Sequence, residues 1–174
     1  MIKMLGALVG VGEDAAALAS VLCERLAMVA AAAEEPRPRV YFEEWDEPMI
    51  AGIGWVSELI EIAGGSDVFA DRRGAQSAKD RIATSDEVVA TAPDLILASW
   101  CGKKVRPGRI AARTGWEAIP AVANGFICEI TSPLILQPGP AALMDGLDAI
   151  VAAIGDWRRQ AVTCQKDRAV SAAR

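Results

Sequence analysis

The sequence contains no histidine. That removes imidazole as general base, proton shuttle or metal ligand, and with it catalysis of the Ser-His-Asp and Cys-His kinds. Cysteine is sparse. Cys23, Cys101, Cys128 and Cys164 lie too far apart for a C-x-x-C metal or redox motif. No apolar run approaches the roughly 20 residues of a membrane span. Positive charge is short too: the net charge is −5, and the basic residues of Arg158–Arg174 are mixed with apolar ones. Neutralising phosphates needs a basic face, so no nucleic-acid partner is expected. Aromatic residues make up only 5% of the chain, which makes their placement informative.

What is present is a globular chain. Its 174 residues are 52% hydrophobic and 24% charged, enough for one domain with a sizeable core. There is no internal repeat and no low-complexity linker. The longest helical pattern runs from Glu13 to Glu35, rich in Ala and Leu and free of Gly and Pro. Leu18, Val21, Leu22, Leu26 and Val29 recur at helical spacing, with Arg25 the one polar member. Such a helix would be about 34 Å long, and Pro36 and Pro38 stop it. The apolar residues before it read as a lead-in, not a secretory signal. Glu13 and Asp14 follow them directly, and no A-x-A site precedes those acids.

The lead-in also holds Gly10-Val11-Gly12-Glu13-Asp14-Ala15, which matches G-x-G-x-x-A. A dinucleotide site would need it between a strand and a helix, with pyrophosphate on the helix N-terminus. Glu13 and Asp14 occupy that terminus and would repel the anion. They read instead as acids complementing the helix dipole.

Beyond Pro38 the pattern alternates. Strands are expected at Arg39–Glu43, Asp94–Ala98 and Phe126–Ile130. Helices are expected at Trp55–Ala63, closed by Gly64 and Gly65, at Ser85–Thr91 and at Pro140–Ile154. This implies an α/β fold: a long N-terminal helix, then a Rossmann-like lobe with a small, mostly parallel sheet. The expected divisions are 1–35 for the lead-in and long helix, 36–155 for the lobe and 156–174 for a polar tail in which periodicity fades.

In open parallel sheets ligands bind outside the carboxyl ends of strands. Three loops leave those ends, and each carries apolar bulk. The first is "EWDEPMIAGIGW", with Trp45, Met49 and Trp55; the second opens on Trp100; the third runs Thr131–Gly139 and holds Leu134, Ile135 and Leu136. These groups are expected to gather over one sheet edge as a platform for a large, partly apolar ligand. "TSDEVV" is a capping box, Thr84 with Glu87, which leaves Asp86 an acid the cap does not need.

Four segments occur in order: "RPRVYFEEWDEPMIAGIGWVSELIEIAGGSDVF", "SDEVVATAPDLILAS", "GWEAIPAVANGFICEI" and "QPGPAALMDGLDAI". Together they resemble the C-terminal part of the cobalamin and iron-siderophore substrate-binding proteins of ABC importers, over roughly Gly12–Ile154. The wording of Glu44–Gly65 is most similar to the cobalamin-binding branch. The resemblance implies one lobe, plus the interdomain helix, of a rigid two-lobed protein, with its first lobe and signal peptide expected in a part of the protein not present here. It implies a non-catalytic role, no cofactor and no metal held by the protein. The partners it implies are a corrinoid or metal chelate and an ABC permease, and the location is periplasmic or extracytoplasmic. The resemblance implies ligand contacts at Met49 and in the loop Ser132–Gln137, here Ser132, Leu134 and Gln137, and permease docking at Asp86; Trp45, Trp55 and Trp100 are expected contacts from the apolar loops themselves. Two places depart from the family pattern. The loop Ser132–Gln137 is more apolar than the polar contacts expected there, and Asp80 stands near a family aromatic. An iron-siderophore or haem lobe is an alternative. So is a small α/β enzyme lobe using Glu43, Glu44, Asp46 or Glu47 as base, or a self-associating module, a homodimer that covers the half-cleft.

Overall fold

The computed structural model describes the backbone of residues 1–172 and side chains up to Ala161. The chain opens with a helical hairpin, α1 (Ile2–Leu8) and α2 (Gly12–Ala31). The expected lead-in is thus itself a helix. The G-x-G-x-x-A stretch runs from the turn between two helices into the first turn of α2, with Gly10 at φ +80°, and no strand precedes it. α2 is shorter than its sequence pattern. The residue before a proline is pushed out of helical backbone, and the chain unwinds ahead of Pro36.

The sheet is built from β1 (Arg39–Asp46), β2 (Met49–Ala51), β3 (Ser66–Asp67), β4 (Leu95–Ala98) and β5 (Ile127–Glu129). Its order is β2-β1-β4-β5, with β4 and β5 parallel to β1 and in register Val40↔Leu95 and Ile96↔Ile127. Val40 also pairs with Asp67 of β3. One residue has only two edges, so β3 lies on the edge of β1 that β2 occupies further along. β2 is antiparallel and joined to β1 by a tight hairpin, with a bulge between Glu43 and Trp45. This strand was not foreseen, because its three residues read as part of a loop.

Alternation along the strands divides the core in two. Val40, Phe42, Leu95 and Leu97 face α3 (Gly54–Ile62) and α8 (Leu147–Ala172). Tyr41, Ile96 and Ala98 face the other layer, which includes α4 (Ser85–Thr91), α5 (Pro107–Ala111) and α6 (Pro120–Ala123). Gly65 lets α3 sit down on the sheet. A Cβ there would lie 2.9 Å from both Ile60 and Val40 side chains. After β5 come α7 (Ser132–Ile135) and a π-helical turn, Ala142–Gly146, that leads into α8. The expected boundary at Asp156 falls inside α8. There Arg158 ties the helix to the chain around Pro36 by donating to the carbonyls of Glu34, Pro36 and Gly64. The rest of the expected tail, from residue 162 on, lies outside the residues whose side chains are described.

Candidate functional site

The carboxyl ends of β1, β4 and β5 share one edge of the sheet, and the β1–β2 hairpin stands on it. The hairpin is held by one lysine. Lys103, on the loop after β4, places its Nζ 2.6 Å from Asp46 Oδ1, 4.2 Å from the Trp45 ring centre and 5.2 Å from that of Trp100. An ammonium over an indole face is attracted by the ring quadrupole, most strongly when water is excluded. Trp45 Nε1 in turn donates to the Glu47 carbonyl at 2.9 Å, which fixes the turn. Burial would raise the Asp46 carboxyl. The hydrogen bond and charge of Lys103, its own backbone N–H and Arg109 outweigh burial and hold it below its ordinary range.

Below the hairpin lies a second buried charge. Glu43 is fully buried and accepts hydrogen bonds from Arg113 through both terminal nitrogens, from Trp100 Nε1 at 3.0 Å and from Tyr41 OH at 3.2 Å. Burial, then the Glu43 charge, pushes the Tyr41 hydroxyl well above its usual range, so it stays a donor. Arg113 stacks on Trp116, whose Nε1 donates to Ser85 at the start of α4. Between these parts opens a pocket of about 530 Å³, lined by Asp46, Pro48, Met49, Ser85, Arg109 and Arg113 among others. Its floor is rigid and charged, and its wall at Pro48 and Met49 is apolar.

The predicted ligand residues do not all meet here. Trp45 and Met49 do, half-buried on the Tyr41 side of the sheet. Trp100 lies directly beneath, but it is 2% exposed. The expectation that it walls the cleft is corrected: its indole N–H is taken by Glu43, and its face by Lys103. Trp55 is also corrected. It packs on the opposite, Val40 side, donates to the Ile135 carbonyl at 2.9 Å and lines a separate apolar groove of about 470 Å³ with Leu22, Cys23, Leu26 and Pro138. The third loop is not a bare apolar tip. α7 turns Ile135 fully inward and packs Leu134 and Leu136 against the core, which leaves Ser132 half-buried and Gln137 exposed. The expected platform of three indoles and several aliphatics is therefore reduced to Trp45 and Met49; Ser132 and Gln137 belong to the α7 segment, whose apolar residues pack on the Val40 side.

The carboxylates considered as bases are mostly paired. Glu43 is held by Arg113, Glu44 by the buried Arg81 at 2.6 Å and Asp46 by Lys103; only Glu47 is exposed and unpaired. Among the described residues no group of three metal-ligating side chains is present. Asp86 is exposed in the first turn of α4. Its neighbour Glu87 closes the capping box with Thr84 and bonds Arg72, so the two acids have separate roles. Sequence reasoning missed Lys103, Arg109 and Arg113. The only available signal was "GKKVRPGRIAAR" after β4, a basic run in an acidic chain, placed where the first loop supplies acids.

The chain matches the family model of the periplasmic binding proteins over residues 1–134. No curated protein matches it. Solved structures share its fold. A haem-binding periplasmic protein of Roseiflexus sp. RS-1 is 20% identical with a TM-score of 0.68, over 88% of this chain and 61% of that one. An ABC-type Fe3+-hydroxamate transport protein of Saccharomonospora viridis is 25% identical with a TM-score of 0.68, over 88% and 53%. The periplasmic vitamin B12-binding protein of Vibrio cholerae is 20% identical with a TM-score of 0.62, over 86% and 55%. The chain thus spans little more than half the length of these structures. It belongs to the periplasmic binding protein family.

Proposed function

We propose that this periplasmic-binding-protein chain forms one wall of a cleft that captures a corrinoid or related metal chelate and presents it to an ABC permease. The observation that carries the reading is the pocket under the β1–β2 hairpin, at the carboxyl edge of the sheet. It combines an apolar lip, Pro48 and Met49, with a floor of locked charges. A large amphipathic ring system needs both: area for its apolar face and a few fixed polar groups for orientation. Met49 and Trp45 are the contact residues on this wall. Lys103 and Arg113 position them and require no rearrangement on binding. Asp86 is the docking acid for permease arginines. An exposed ion pair contributes only about 0–1 kcal/mol, so docking weakens as salt rises.

Tryptophan-fluorescence titration with cyanocobalamin, a ferric hydroxamate and haemin tests the reading. One of the three quenches saturably, and Met49→Asp weakens that ligand about tenfold or more, while Trp55→Phe leaves it unchanged. Saturable binding by none of the three refutes the capture role. Equal loss in both variants moves the site to the other face of the sheet.

A further inference from the structure

On the Val40 side of the sheet, α2 and α3 end and α8 passes at one guanidinium. Arg158 of α8 donates through Nε to the Pro36 carbonyl at 3.1 Å. Its Nη2 donates to the Gly64 carbonyl at 3.1 Å and also to that of Glu34. Glu34 and Gly64 lie just past the C-terminal ends of α2 and α3, the ends where a helix dipole favours a cation. Gly64 is fitted to the arginine. It has φ +85°, and a Cβ there would lie 2.9 Å from Arg158 Nη2 and 3.0 Å from Ala33 Cβ. The seat of the guanidinium thus needs both a left-handed turn and a missing side chain.

A second tie lies further back along α2. Arg25 bonds Asp148 in the first turn of α8. The ties follow the same order on both partners, Arg25 then Glu34 against Asp148 then Arg158, so α2 runs alongside α8 in the same direction. Ten residues of α8 separate them, about 15 Å of helix. A helix held at one point can pivot; held at two points this far apart, it has one direction. Between the ties, Leu26 and Val29 are only half-buried against the core, so apolar packing alone leaves that direction loosely set.

We propose that Arg158 is a positioning residue that sets the direction in which α2 leaves the sheet. On the capture reading above, on which this consequence rests, α2 leads to the opposite wall of the cleft, so its angle sets the width available to the ligand. The clasp acts on direction more than on stability. Its bonds to Glu34 and Pro36 are exposed, so water replaces them when the guanidinium is lost. Water satisfies the carbonyls but does not hold α2, α3 and α8 at fixed angles. A guanidinium does, because its donors are fixed in one plane.

Double electron–electron resonance on the full chain tests the clasp. Spin labels go on the exposed Cys23 of α2 and the exposed Cys101 of the loop after β4, with Cys128→Ala and Cys164→Ala in the background. The expected result is one narrow distance, which Arg158→Met broadens and shifts while circular dichroism stays unchanged. Hydrogen exchange over residues 32–38 speeds up at least about tenfold in the same variant. Arg158→Lys restores part of the narrow distribution. Gly64→Ala keeps the arginine but fills its seat, and broadens the distance as Arg158→Met does. An unchanged distribution in Arg158→Met overturns the proposal. So does broadening that comes only with a general loss of helix, which makes the arginine structural. The distances are read without ligand, so failure of every ligand to quench removes the cleft and leaves the clasp standing.

Discussion

Replacing Glu43 with glutamine is the sharpest test of how the site is held. The carboxylate has no solvent exposure, and Arg113, its main partner, has a side chain only 20% exposed. The charge therefore has nowhere to be replaced by water. A glutamine keeps the shape but offers one acceptor oxygen where three donors converge, Arg113, Trp100 Nε1 and Tyr41 OH. Its amide nitrogen meets another donor, and the guanidinium is left with an unpaired charge. Breaking a buried pair from one side costs about 3–5 kcal/mol. For a domain of this size that lowers Tm by roughly 6–20 °C. The double change Glu43→Gln with Arg113→Met removes the stranded guanidinium while the glutamine oxygen still accepts from a buried donor, so it recovers part of the loss. Urea unfolding followed by tryptophan emission measures both, since Trp100 and Trp116 are buried beside the pair. A Glu43→Gln loss under about 1 kcal/mol, or a double variant no better than the single one, refutes the claim that this ion pair supports the site.

Three other outcomes follow from the same structure. Asp46 has its folded-state pKa depressed by Lys103 against the effect of burial, so it contributes stability above its unfolded value of about 3.9 and loses it as pH falls through the lower folded value. The stability gap between the natural chain and Asp46→Asn, measured by urea unfolding across pH, is therefore present at neutral pH and closes in acid. Ala92 ends α4 with φ +44°, a left-handed conformation that penalises a Cβ, so Ala92→Gly raises stability by up to about 1 kcal/mol in thermal unfolding. Gly65→Ala drives a methyl into Ile60 and Val40 and costs about 1–3 kcal/mol in the same assay.

Most of the scaffold was legible in local pattern. Helix spacing located α2, α3 and α4, and apolar runs bounded by turn residues located β1, β4 and β5. These signals are short-range, and burial of one face or two is written directly in residue order. The Thr84–Glu87 capping box was legible for the same reason: its two hydrogen bonds span three residues. The site was legible only as a neighbourhood. That ligands gather at the carboxyl edge of such sheets follows from strand order, and Met49, expected there, lines the pocket under the hairpin.

The fate of each tryptophan was decided elsewhere. Trp45, Trp55 and Trp100 look alike in a loop sequence, yet one lines the hairpin, one crosses to the opposite layer and one is buried. The partners that separate them are far off in the chain: Lys103 for Trp45, Ile135 for Trp55 and Glu43 for Trp100. An indole in a loop takes whichever acceptor and cation the sheet brings to it, and residue order does not carry that distance. The sequence alone determined the α/β architecture, the exclusion of imidazole chemistry and the presence of apolar bulk in the loops that leave the strands' carboxyl ends. Only the tertiary structure decided which aromatic groups reach that edge, because buried charges must find partners and those partners come from other strands.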